Sequence, residues 1–540
     1  MFIKKGCLVL SFLFLIHFLI ITNQSKERSL ISYISTSSPN FFSTKNKPLD
    51  WPTKYKKKES SQTSKSPITD ATISAKKFKL SLDKAANKSP LMSSFKSHPQ
   101  KFLFGASSSS YQCEGGLDEN NASAVFYQSK NLPTAGKAID FWNKYPQDIK
   151  EMKHKLGINS FRLSIAWDRI QPQQNAWDET AIKKYIHIIM TLKKYNIQPI
   201  IVLHHYTIPT WFAEIGGFEK KNNIKFFIKF AKKMYSALHQ HVTYWSTFNA
   251  IEGYAFKGYY TLDGPPGKEK NMQLTQQVMA NMLEAHVQVY KSFKKIYHKF
   301  PDQKNIPHPL IGIQKNIVLL DSPDNANIYV YTATQPIRIS GTMLQNKLFF
   351  DFFTTNKCRL WIPGWVNINH TNHSAKESID WIGLNIYSNI HMRFTQRLEE
   401  TEEDRKTENL NYRDYPEGVY RAVKIIDDKI AKPLNIPIII TENGIATKND
   451  TTGNEKRSRF FRRVLYTIRK LIEQGCNIIG YTPWASHDNY EWPSPKQPNP
   501  FDRPYGMFNV DFSKPTLPRT LKKGAYYYRD FLHEFFKQEL

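Results

Sequence analysis

Acidic residues are in short supply. Across 540 residues, 47 Asp and Glu stand against 75 Lys and Arg, a formal net charge of +28 at pH 7. Such an excess suits anionic surfaces, but nothing else in the chain argues for nucleic acid, and none is expected as a partner. Cysteine is scarcer still: Cys7, Cys113, Cys358 and Cys476 lie far apart and form no CxxC pair. That spacing suggests neither a structural zinc site nor a disulfide framework. No metal or cofactor is expected, and the cysteines read as small apolar residues.

The first 25 residues, MFIKKGCLVLSFLFLIHFLIITNQS, set Lys4 and Lys5 before an apolar run, the profile of a secretory signal. No small-x-small cleavage site follows Ile21, so an uncleaved membrane anchor is the alternative, although the run falls short of the roughly 20 residues of a relaxed spanning helix. Either way the remainder is expected to be exported: secreted, periplasmic or anchored. Residues 26–100, including KYKKKESSQTSKS, are rich in Ser, Thr, Lys and Asn without a sustained period and are expected to form a disordered basic linker. It reads either as a tether bringing residues 1–100 against a membrane or another anionic surface, or as a solvated spacer. Sequons at Asn121, Asn369, Asn372 and Asn449 matter only in a eukaryotic secretory pathway.

From Lys101 to Leu540 the pattern becomes regular. Eight short β-branched or aromatic runs recur: FLFGAS, INSFRLSI, IQPIIVLHH, VTYWSTFN, LIGIQKN, SIDWIGLN, IPIIITEN and NIIGYTPW. Between most of them lie helical periods such as NNIKFFIKFAKKMYSALHQH and KRSRFFRRVLYTIRKLIEQG, with apolar residues three and four apart and basic residues filling the other face. Near-continuous apolar strands alternating with amphipathic helices call for a parallel sheet buried on both faces. Eight such units predict an α/β fold, a (β/α)8 TIM barrel, over residues 101–540.

In that fold chemistry sits where the strands end. Those ends carry Arg162, His204, His205, Asn249, Asn385, Glu442 and Trp484. A single Asn, His or Glu there is usually a turn residue or helix cap. Capping does not require such residues on so many successive strands, so a functional cleft is expected.

These residues resemble family 1 glycoside hydrolases, the retaining β-glucosidase family. FLFGASSSSYQCEGG is similar to the family's N-terminal signature, ITENG to its nucleophile motif, and WASHDNYEW to its WSLLDNFEW segment. FRLSIAWDRI, LHHYTIP, IGLNIYS and DYPEGVY follow the family's order. The resemblance implies a β-linked glycoside or oligosaccharide as partner, with Glu442 as the nucleophile and Arg162 and Tyr387 as the pair that orients it and keeps it ionised. It implies a sugar subsite of Gln112, His205, Asn249, Asn385, Glu491 and Trp492, with Trp484 as its aromatic floor. A carboxylate at Glu491 implies a glycone without phosphate.

One group is absent. Retaining hydrolysis needs a second carboxyl about 5 to 5.5 Å from the nucleophile, to protonate the leaving oxygen and then activate water. The family supplies it from a TxNEP motif, and here that motif reads Thr247-Phe248-Asn249-Ala250-Ile251. Ala250 thus replaces the acid/base. Three readings follow: an enzyme that uses Glu252 as a surrogate acid or takes substrates with good leaving groups, a klotho-like sugar-binding pseudoenzyme, or a surface or adhesion protein with the barrel as scaffold.

Overall fold

The computed structural model describes Phe95 and residues 102–300, 303–322, 328–391 and 406–537. The signal or anchor expected over 1–25, and all of the linker expected over 26–100 except Phe95, lie outside the described residues. The chain divides into two units. The smaller comprises Met1–Lys84, Leu320–Met343 and His391–Arg397, and its description is mainly helical, over 328–343. The larger comprises Ala85–Leu319, Leu344–Ile390 and Leu398–Leu540 and carries everything that follows.

Each of the eight runs becomes one strand: β1 (Leu103–Ser107), β2 (Ser160–Ser164), β3 (Gln198–Val202), β4 (Tyr244–Asn249), β5 (Leu310–Asn316), β6 (Trp381–Asn385), β7 (Ile438–Glu442) and β8 (Ile478–Tyr481). They pair in parallel in chain order and close into a barrel, with Leu103 opposite Gly480 at the seam. The main helices are α1 (Phe141–Glu151), α2 (Glu179–Lys194), α3 (Ile224–Leu238), α4 (Met272–Tyr297), α5 (Ile328–Thr355, in the larger unit from Leu344), α6 (Glu417–Ile426), α7 (Thr451–Glu473) and α8 (Tyr526–Lys537). No described helix is long and apolar enough to cross a membrane.

α3 shows why the pattern folds this way. Phe227, Phe230, Ala231, Met234, Tyr235 and Leu238 are buried, while Lys225, Lys229 and Lys232 are exposed. Asp178 caps α2 and Asn271 caps α4, each accepting from a backbone N–H in the first turn. α7 departs from the expected basic outer face, because Arg457 and Arg463 turn inward and are buried. Arg457 donates to the carbonyls of Thr447, Pro504 and Tyr505, and Arg463 to Glu417 at 2.7 Å. Acceptors brought from loops and from the start of α6 outweigh the preference of arginine for water.

Leu103, Ile200, Trp381, Ile439 and Ile479 form one buried cluster, against which Tyr244 and Leu310 pack. Side chains from seven of the eight strands meet this way only inside the barrel. At one end Phe95 packs edge-on against Phe102, Phe104, Phe531 and Phe535, with centroids 5.0 to 6.5 Å apart. The packed body therefore includes Phe95, a few residues before the boundary expected at 101. Cys113, Cys358 and Cys476 are buried and unbridged.

Strict alternation would send Asn249 to the face opposite Ser246, and Glu442 to the face opposite Ile439. The register shifts between Ser246 and Asn249 and between Ile440 and Glu442. Local irregularities of this kind re-aim side chains, and both residues reach the barrel mouth.

Candidate active site

The guanidinium of Arg162 is the hub of the site. Its side chain, on β2, is wholly buried, and Nη1 pairs with Glu442 Oε1 at the end of β7, 2.8 Å away. Nη2 donates to Asn249 Oδ1 at the end of β4 (2.8 Å) and to Gln314 on β5. It also lies 3.3 Å from Nδ1 of His205, just past β3. Asn385, ending β6, donates to the same Asn249 Oδ1 (2.8 Å) and accepts from Thr441 (2.7 Å). Tyr387, two residues further on, donates its hydroxyl to Glu442 Oε2 at 2.8 Å. Both carboxylate oxygens of Glu442 are therefore fixed.

Burial raises the Glu442 pKa, and Arg162, Tyr387 and Asn249 oppose the rise without cancelling it. Arg162 lowers this pKa, as a neighbouring cation should, but desolvation outweighs the charge. His205 is held neutral by burial and by Arg162.

A second wall comes from the segment after β8. Trp484 stacks on His205, centroids 5.8 Å apart, and donates Nε1–H to Glu491 Oε1 at 2.8 Å. Burial pushes Glu491 up to about 7, against the pull of Arg503. Arg503 itself donates to the carbonyls of Glu491 and Trp492. Trp492 stacks on Tyr111 at 5.7 Å and meets Tyr206 edge-on at 5.8 Å. Gln112, in the short helix Ser110–Cys113, is occupied by the protein, donating to Tyr490 O (2.8 Å) and accepting from Ser109 (2.8 Å).

Ala250 caps the short helix Ile251–Phe256 in a left-handed conformation, φ 45°, fully buried, with its N–H donated to Gln314 O at 2.9 Å. Such a φ costs a non-glycine residue about 1–2 kcal/mol. Glu252 points toward β5: Oε1 accepts from Lys315 Nζ (3.1 Å) and from the Asn316 amide (2.6 Å). His204 belongs to the core, ringed edge-on by Phe218, Phe248 and Tyr254 and pushed down to about 3 by burial.

Sequence reasoning passed over Gln314, Lys315 and Tyr206. The available signal was the polar end of LIGIQKN, where β5 ends in Gln-Lys-Asn as the other strands end in site residues.

Residues 94–535 match the sequence model of glycosyl hydrolase family 1. The chain belongs to glycosyl hydrolase family 1. Among curated relatives, the 6-phospho-β-galactosidase of Staphylococcus haemolyticus is 26% identical over 486 residues, covering 80% of this chain and 97% of its own. The solved β-glycosidase of Pyrococcus horikoshii superposes with a TM-score of 0.67 at 30% identity, covering 83% of this chain and 98% of its own. The β-glucosidase of Thermotoga maritima in complex with castanospermine shares the fold, with a TM-score of 0.67 at 23% identity over 81% of this chain and 98% of its own. The family 1 barrel is thus complete here, and its strand ends converge on one clamped carboxylate.

Proposed function

We propose that the protein transfers or hydrolyses β-linked glycosyl groups through a covalent glycosyl-enzyme on Glu442, with acid/base help weakened by Ala250. The clamp on Glu442 carries this reading. A guanidinium at 2.8 Å and a phenol at 2.8 Å hold its two oxygens, an arrangement suited to a nucleophile and without evident use in a scaffold. Glu252 is committed to Lys315 and the Asn316 amide, which argues against its serving as the surrogate acid.

A phosphate-free glycone is proposed, although curated relatives are named 6-phospho-β-galactosidases. Glu491, hydrogen-bonded to the Trp484 indole, would repel a phosphate dianion once ionised. The pseudoenzyme reading rests on one observation, the methyl group at Ala250 where acid/base chemistry needs a carboxyl.

Ala250→Glu decides between the two. It is expected to raise turnover of unactivated aryl and alkyl β-glycosides by about 10²-fold or more, the lower range for a positioned general acid. A variant that still binds sugar but turns over neither unactivated nor activated glycosides leaves only the binding reading.

A further inference from the structure

We propose that the hydroxyl of Tyr206 is the proton donor to the leaving oxygen, in the place vacated by the carboxyl at position 250. The inference rests on the reading of Glu442 as nucleophile and adds a second catalytic residue to it.

Tyr206 follows His205 directly and adopts a left-handed backbone, φ 70°, where a bulky residue is a genuine outlier. This conformation sets its ring against His205, centroids 5.2 Å apart, and beside Trp492 at 5.8 Å, at the sugar-binding wall. The hydroxyl reaches the first turn of the helix that Ala250 caps. A Cβ built on Gly253 would lie 2.5 Å from it, so only glycine leaves room there. Gly253 lies in the first turn of that helix, three residues past its cap Ala250. The phenol thus comes to the same turn from which a longer side chain at 250 would reach into the cleft. Among the described residues the hydroxyl makes no hydrogen bond, which leaves its proton for a ligand.

The surrounding charges suit the step. Burial first, then the charges of Glu442 and Glu252 and the Tyr412 phenol, keep the Tyr206 phenol protonated at rest, with Arg162 opposing them. Lys257 Nζ lies 5.9 Å from its ring centroid, while His205 is neutral. In the first half-reaction a Glu442 oxygen attacks the anomeric carbon and the bond to the leaving oxygen breaks. That oxygen keeps the electron pair and takes the phenolic proton, leaving an alcohol or phenol and a tyrosinate. Glu442 loses its charge as an ester in the same step, which removes the largest charge opposing the tyrosinate. In the second half-reaction water attacks the anomeric carbon, tyrosinate takes its proton, and the bond to Glu442 breaks to restore carboxylate and phenol.

The test uses the full chain and a series of aryl β-glucosides and β-galactosides running from dinitrophenyl to phenyl leaving groups. Tyr206→Phe is expected to lower kcat/KM, which reports the first half-reaction, by about 10²-fold for phenyl leaving groups and by much less for dinitrophenyl ones, steepening the dependence on leaving-group pKa. Gly253→Ala, which displaces the hydroxyl without deleting it, is expected to show the same selectivity. In the Ala250→Glu background Tyr206→Phe should lose its effect, since one acid then suffices. Equal losses of kcat/KM on both leaving groups, or none, overturn the proposal while the Glu442 reading stands. Failure of the wild type to turn over even the dinitrophenyl glycosides overturns both.

Discussion

Glu252 and Lys315 are 3% and 0% exposed in their side chains and 3.1 Å apart. Removing one partner of a buried pair strands the other charge and costs about 3–5 kcal/mol. Glu252→Gln should therefore lower the melting temperature sharply, and Glu252→Gln combined with Lys315→Met should recover much of the loss. A Glu252→Gln variant that keeps full stability but loses turnover would instead restore Glu252 as the surrogate acid. Glu491 makes a second prediction. Its pKa of about 7 exceeds the ordinary 4.5 because of burial, so the carboxyl is neutral below about 7 and charged above. The charged form accepts from sugar hydroxyls more strongly, so sugar affinity should rise as pH climbs through about 7, and Glu491→Gln should abolish the step. The same shift means the folded state holds this proton more tightly than the unfolded chain, so its contribution to stability falls between pH 4.5 and 7 and is constant above. At this scale ITENG marked Glu442, which the structure places in the clamp, and TFNAIEG marked the alanine at position 250. Gln314 and Tyr206 stayed hidden because an amide at a strand end and a tyrosine in a loop look like turn and packing residues until the partners arrive from other strands.

The eight strands were legible because each is a short apolar run that must be buried on both faces. What periodicity did not disclose were the register shifts at Asn249 and Glu442, which break the period-2 rule at the two positions where the site needs it broken. Arg457 and Arg463 in α7 were equally opaque, since their acceptors lie far away in the chain. Arg457 holds the carbonyls of Pro504 and Tyr505, next to Arg503, which in turn supports Glu491 and Trp492. Arg457→Met should thus weaken sugar binding as well as stability, measured together by fluorescence titration and thermal melting. Phe95 anchors the opposite end of the barrel. Phe95→Ala should cost about 3–5 kcal/mol, the range for a buried aromatic truncated to alanine, in denaturant unfolding. An unchanged midpoint would mean the aromatic plug adds no stability.

Across the whole molecule, family membership, the closed barrel and the convergence of six strand ends on Arg162 and Glu442 describe a family 1 glycosidase frame, in which the proposed function gives Glu442 the nucleophile's role and Ala250 the place of the second carboxyl. Such a frame should form its covalent intermediate from an activated substrate more readily than it releases it, because an activated leaving group needs no acid whereas the second step has no carboxylate base. The most direct measurement is intact-protein mass spectrometry of the full chain after incubation with a dinitrophenyl 2-deoxy-2-fluoro-β-glycoside, followed by peptide mapping. One added fluoroglycosyl mass per chain is expected, located on Glu442 and lost in Glu442→Gln. A label on any other residue with Glu442 unmodified, or no label while the sugar still binds, would contradict the nucleophile's role for Glu442.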